Sequence, residues 1–236
     1  DEGKSAEIKK INIIGNEIYT NEELIDGFEL SEGSFFSFLS NDNQYSREKL
    51  KGDIETLESF YRDRGYLKFS IESSQISLSR DKKSIFITFN VNEGEKYTIN
   101  AVDVVGEVPF EEIIYKDILE SLNDTTYSQA QITSIEDFFI NVLGNRGYAF
   151  AEVTGNPEIN EDANEVKLIF SIQPGNRTYT RKILFTGNDI TQDHVLRREM
   201  RQFEGAWTSD NSIEAGKIRL ERLGYFKEVN VETIPV

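Results

Sequence analysis

The chain repeats itself, and that limits its fold more than any other feature. From Gly3 to Gly15 is twelve positions, and the same interval separates Gly94 from Gly106 and Gly175 from Gly187. A Gly-Tyr pair recurs in "YRDRGYLKF", "LGNRGYAFA" and "ERLGYFKEV", at Gly65, Gly147 and Gly224. Each unit reads as an apolar run, a Gly, two helical stretches, the Gly-Tyr pair, and apolar alternation ending in a Gly joint. A fixed period of this kind marks a supersecondary unit copied in tandem. The unit is about eighty to ninety residues long, near the lower end of domain size.

On this grid residues 1–6 are the tail of a preceding repeat, 7–94 the first unit, 95–175 the second and 176–236 the third. The joint Gly lies 29 positions after Gly65 and 28 after Gly147, so its counterpart in the third unit would fall beyond Val236. Both ends read as cut, and the third unit is expected to lack its last strand.

The residues of the first unit give its elements. "EIKKINIIG" places Ile8, Ile11 and Ile13 in loose alternation and reads as a strand ended by Gly15. Thr20 with Glu23 forms a capping box for a first helix. A second helix opens at Ser46 with the stripe Leu50, Ile54, Leu57, Tyr61, and Gly65 reads as its left-handed cap with Tyr66 folding back. Two strands follow, "KFSIESSQISL" and "IFITFNV". The second unit repeats the order, with Val102 and Val104, the stripe Ile132, Ile135, Phe139, Leu143, and the alternation Val166, Leu168, Phe170, Ile172. The third gives Ile183 and Phe185, then Val195 and Met200, then Ile213, Leu220 and Leu223. The plan is β-α-α-β-β, an α+β fold of small three-stranded sheets, each with two helices on one face. Gly15, Gly106 and Gly187 serve the turns, and Tyr66, Tyr148 and Tyr225 read as packing at the helix ends.

Composition narrows the partners. The net charge of −16 argues against nucleic acid or an anionic membrane, which need a basic surface. The absence of cysteine excludes disulfides and thiolate metal sites, and no metal or cofactor motif occurs. His194 is the single histidine and has no partner set for catalysis, while Glu22 with Glu23 and Glu111 with Glu112 sit in helix first turns, where they favour the dipole. The residues therefore argue against an enzyme. Arg197, Arg198 and Arg201 put three cations within five residues of an acidic chain, a solvated face offset by Glu199 and Glu204 or a binding surface.

The β-α-α-β-β unit, with "GN" after strand one and "RGY" after helix two, resembles the POTRA family. "LRREMRQFEGAW" (Leu196 to Trp207) with "RLGYF" (Arg222 to Phe226) is similar to the last POTRA domain of outer-membrane β-barrel assembly factors, and "GDIETLESFYRDRGY" to their third. The resemblance covers essentially the whole chain. It implies a location on the periplasmic face of the outer membrane of a Gram-negative bacterium, reception of unfolded outer-membrane proteins, and docking of BamD-type and BamB-type lipoproteins, with no catalysis. It also implies that Arg197 and Glu204, with Asp189 as a weaker candidate and Arg201 beside them, contact the BamD-type lipoprotein. POTRA units of a related transporter, for two-partner secretion or autotransporter assembly, are the alternative, which "EGAW" and the number of units disfavour.

In the sheet that the resemblance implies, the last strand is central and the second strand is an edge. The second unit's copy, "EVTGNPEIN", holds Gly155 and Pro157, and proline cannot donate to a ladder. The first unit's copy has neither, and its apolar parity changes between Ile71 and Ile76, which predicts a bulge near Ser73 to Gln75. Ile76 and Leu78, with Glu72 on the same strand, are thus expected at a docking edge for an added strand, in the region where the resemblance places the BamB-type propeller.

Overall fold

The computed structural model describes residues 5–37 and 43–235. Most of the residue 1–6 tail, including Gly3, lies outside them. The chain divides into two compact units, Asp1–Ala101 with Asn123–Gln131 and Ile159–Val166, and Val102–Leu122 with Ile132–Glu158 and Lys167–Val236. Its helices are α1 (Asn21–Ile25), α2 (Asn43–Arg62), α3 (Lys116–Glu120), α4 (Gln129–Gly144), α5 (Asp193–Glu199) and α6 (Asp210–Arg222). The strands are β1 (Ser5–Ile14), β2 (Phe35–Ser37), β3 (Ser70–Leu78), β4 (Ser84–Asn92), β5 (Thr98–Gly106), β6 (Glu152–Asn160) and β7 (Glu165–Gln173).

The first sheet has the order β2-β1-β4-β3. Its last strand in sequence, β4, is central, parallel to β1 and antiparallel to β3, which lies at an edge. The three expected strands are joined by a fourth, β2, which covers the start of β1 through Ser5↔Ser37, Ala6↔Phe36 and Glu7↔Phe35.

Two bulges set the register. In β1 the pairing runs from Ile8↔Ile85 to Lys10↔Phe86, leaving Lys9 as the extra residue. Ile8 and Ile11 differ in parity, so only a bulge lets both reach the core, where they are 0% and 2% exposed. In β3 the shift falls between Ile71↔Val91 and Ser73↔Asn90, with Glu72 as the extra residue. The bulge is therefore at Glu72, just before the expected Ser73 to Gln75, and it brings Ile71 and Ile76 to the same face against the core.

Helix α1 carries the expected capping box between Thr20 and Glu23. Helix α2 begins at Asn43 rather than Ser46. Its end is a Schellman motif: Tyr66 N donates to Tyr61 O (3.1 Å) and Gly65 N to Arg62 O (3.4 Å). Helix α4 ends the same way, with Tyr148 N on Leu143 O and Gly147 N on Gly144 O. Tyr66 is 7% exposed and fulfils the packing role. Tyr225 does not: it is 64% exposed, and its helix end shows the glycine bond, Gly224 N to Glu221 O, without the second bond that folds Tyr66 back onto Tyr61 O.

The second sheet has the order β5-β7-β6. Val166, Leu168, Phe170 and Ile172 of β7 are buried, as are Ile132, Ile135, Phe139 and Leu143 of α4. Gly155 is where α4 meets the backbone of β6: a methyl there would lie 2.5 Å from Ile132 Cγ2 and 3.0 Å from Phe170 Cε1. Its N–H donates to Glu136 Oε1 at 2.6 Å. The glycine thus serves close packing, beyond weakening the edge. Gly155→Ala should lower stability by about 1 to 3 kcal/mol, the usual cost of overpacking, as read by chemical denaturation.

Among the described residues from 177 onward there is no strand, only an isolated antiparallel bridge, Tyr179↔Trp207. Ile183, Phe185, Phe226 and Val229 still pack onto Leu196, Met200 and Leu220. These segments supply core side chains without completing a sheet.

Candidate partner-binding site

Strand β3 presents the longer uncovered edge of the first sheet, since β2 covers part of the opposite side. Ile76 faces Ile87 and packs partly on the core, so its side chain belongs to the fold as much as to any docking edge. Leu78 faces Ile85 near the strand end and is 40% exposed. Glu72 is exposed at the bulge, and beside it Ser73 Oγ accepts from Asn90 Nδ2 at 2.6 Å. The edge therefore offers a bulged first half and a regular second half ending in one free apolar side chain. In β6 Pro157 occupies an edge position, as proline in a sheet requires.

Arg197 and Glu204 meet each other. Arg197 lies in the last turn of α5, and its Nη1 donates to Glu204 Oε1 at 2.9 Å while its Nη2 donates to Ile183 O at 2.8 Å. Ile183 N in turn donates to Glu204 Oε1 at 2.8 Å. The Ile183 N–H and the Arg197 guanidinium hold the Glu204 carboxyl below the ordinary carboxylate range. That contribution is present above the usual glutamate range and fades as pH falls through the lowered folded value.

The same acceptor recurs in the first unit, where Glu32 Oε1 takes the amide of Ile11. The backbone bonds beside it correspond, although the Arg197 contacts belong to the third unit. Ile8 N donates to Ser34 O and Gly33 N to Ile8 O, just as Thr180 N donates to Ala206 O and Gly205 N to Thr180 O. Glu204 therefore has an internal duty that the sequence reading missed. The signal was present in the paired "EG" of Glu32-Gly33 and Glu204-Gly205. Gln202 braces the same loop, donating to Trp207 O (3.1 Å) and accepting from Ser209 N (3.0 Å).

The other candidates lie apart from this network. Asp189 is exposed ahead of α5, in a turn held by Asn188, whose Nδ2 donates to Thr191 O and Asp193 Oδ1, both at 2.9 Å. Asn16 does the same with Tyr19 O and Asn21 Oδ1, which explains the "GN" signature. Arg201 is exposed, with Nη1 on Met200 O at 3.3 Å, while Glu199 is engaged by Arg219 at 2.7 Å.

The buried carboxylates are structural. Asp53 accepts from Glu29 N (2.6 Å) and Leu30 N (3.1 Å), and burial still pushes its carboxyl above the ordinary range. Glu93 accepts from Glu17 N, Ile18 N and the Tyr61 hydroxyl, and burial together with Glu93 raises the Tyr61 phenol. Among the described residues no group of His, Cys, Asp and Glu is arranged to hold a metal, and no helix is long and apolar enough to cross a membrane.

The chain is similar over its whole length to the crystal structure of POTRA3-5 of Haemophilus influenzae BamA, with a TM-score of 0.89, 27% identity and 92% of that chain covered. It is 34% identical over 239 residues to the outer membrane protein assembly factor BamA of Neisseria meningitidis, covering 100% of this chain and 30% of that protein. It is 32% identical over 232 residues to BamA of Buchnera aphidicola, covering 98% of this chain and 37% of that protein. The chain thus spans about a third of the length of these relatives. The family model described as "POTRA: Surface antigen variable number repeat" matches residues 6–94, 97–175 and 178–235. Matched three times in succession over almost every residue, the chain belongs to the POTRA family.

Proposed function

We propose that the chain is a periplasmic docking scaffold in outer-membrane β-barrel assembly, which receives unfolded outer-membrane proteins and binds accessory lipoproteins without catalysing a reaction. The observation that carries this reading is the full-length likeness to BamA POTRA3-5. The open β3 edge supports it as a place for an added strand, and the Arg197–Glu204 pair supports it as a polar contact for a BamD-type lipoprotein. The pair remains reachable, with side chains 39% and 42% exposed.

The internal duty of Glu204 shapes the test. Glu204→Gln keeps an oxygen for the Ile183 amide, whereas Glu204→Lys removes that acceptor and opposes Arg197. Binding of a purified BamD-type lipoprotein, measured by calorimetry, should weaken at least about tenfold in Glu204→Lys and stay within about threefold in Glu204→Gln. Circular dichroism checks folding. Unchanged affinity in folded Glu204→Lys would overturn the assignment of this pair.

A further inference from the structure

The residue two positions before the cap glycine reaches beyond its own repeat, and it does so twice. Asp63, ahead of Gly65, accepts through Oδ1 from Ala130 N at 2.7 Å. Asn145, ahead of Gly147, accepts through Oδ1 from Asn211 N at 2.8 Å. Helix α4 starts at Gln129 and α6 at Asp210, so both donors are the second residue of a helix. The third amide is taken from within the repeat: Gln131 N donates to Ser128 Oγ and Ser212 N to Ser209 Oγ, both at 3.3 Å.

The backbone around each of these contacts is bonded alike. Tyr97 N donates to Gly65 O (2.9 Å) and Tyr127 N to Tyr97 O (3.1 Å). In the second copy Thr178 N donates to Gly147 O (2.8 Å) and Thr208 N to Thr178 O (3.1 Å). The first set lies wholly in the first compact unit and the second wholly in the other, so two separate places adopt one arrangement.

We propose that the segments "DRGY" and "NRGY" are caps delivered in trans: Asp63 and Asn145 cap the second helix of the following repeat and couple its first turn to the helix end that carries them. The first amides of a helix have no intrahelical acceptor, and Asp and Asn are among the side chains best suited to supply one. In both copies the repeat's own serine takes the third amide and the preceding helix end takes the second. The carboxylate and the amide are interchangeable here because each presents an oxygen to the second N–H of the helix; in the second copy Asn145 Oδ1 also accepts from Ser209 Oγ at 3.2 Å, which an aspartate oxygen does equally well. In the third repeat the position is Arg222, which carries no acceptor atom, so "RLGY" cannot act in this way.

Hydrogen exchange of the whole chain, read by mass spectrometry on peptides spanning the two helix starts, tests the idea. Asp63→Ala should speed exchange at Gln129–Gln131 about fivefold and leave Asp210–Ser212 unchanged; Asn145→Ala should do the reverse. Asp63→Asn and Asn145→Asp should each restore protection to within about twofold, which a mere loss of surface charge would not. The proposal fails if either alanine variant leaves its target turn unchanged, if both turns respond alike to one substitution, or if the Asp–Asn exchanges behave like alanine.

Discussion

Gly106→Ala should lose about 3 to 5 kcal/mol of stability, and Gly15→Ala a similar amount. Two costs add at each position. The backbone is left-handed, with φ +101° at Gly106 and +96° at Gly15, a region that costs an L-residue about 1 to 2 kcal/mol. A methyl group at Gly106 would also overlap the carbonyl oxygen of Ile172, and at Gly15 that of Val91. These oxygens belong to β7 and β4, the central strands of their sheets, so the obstacle is buried backbone that cannot turn aside. Gly187 supplies the control, because it has φ +76° but nothing within 4 Å of the added methyl. Gly187→Ala should cost only the conformational share, about 1 to 2 kcal/mol. Denaturant midpoints followed by far-ultraviolet circular dichroism separate the outcomes, and equal losses at Gly106 and Gly187 would show that the overlap relaxes.

The sequence exposed much of the fold because its apolar residues report parity. Ile8, Ile11 and Ile13 are buried together, and the odd step between the first two is the signature of the bulge at Lys9. The step from Ile71 to Ile76 likewise announced a bulge in β3 and misplaced it only slightly, because Glu72, Ser73 and Ser74 are all polar and leave its position open. Short elements were less legible. β2 is three residues long, too short to show a period, and it exists through its partner β1.

The bonds made by the candidate site residues could not be read from the sequence. Arg197 and Glu204 were singled out by the resemblance, which says nothing about the Ile183 backbone, whose N–H bonds Glu204 and whose carbonyl accepts from Arg197. Gly155 looked like a strand weakener because strand propensity is local, whereas its packing against Ile132 comes from a helix more than twenty residues earlier in the chain. Tyr225 shared the Gly-Tyr signature with a buried Tyr66 and a half-buried Tyr148 but lacks the 6→1 backbone bond that folds each of them back onto its helix.

Leu78→Glu should weaken binding of a BamB-type propeller lipoprotein at least about tenfold while leaving the first sheet folded. An edge strand recruits a partner through its free backbone groups, and a charge directed along that edge is a common way to prevent pairing. Leu78 is the suitable place for it: at 40% exposure the carboxylate keeps contact with water, so its cost to the fold is small. Ile76 is unsuitable, because it packs on the core opposite Ile87, and a proline or charge there would confuse lost binding with lost structure. The bulge takes Glu72 out of the regular ladder and so, against the sequence expectation, out of the docking edge, which makes Glu72→Lys the charge control. The expected pattern in a pull-down is loss with Leu78→Glu and retention with Glu72→Lys, circular dichroism being unchanged in both. Wild-type capture by folded Leu78→Glu would remove this edge as the docking strand, and loss with Glu72→Lys alone would mean that the partner reads the charge at the bulge instead of the backbone beyond it.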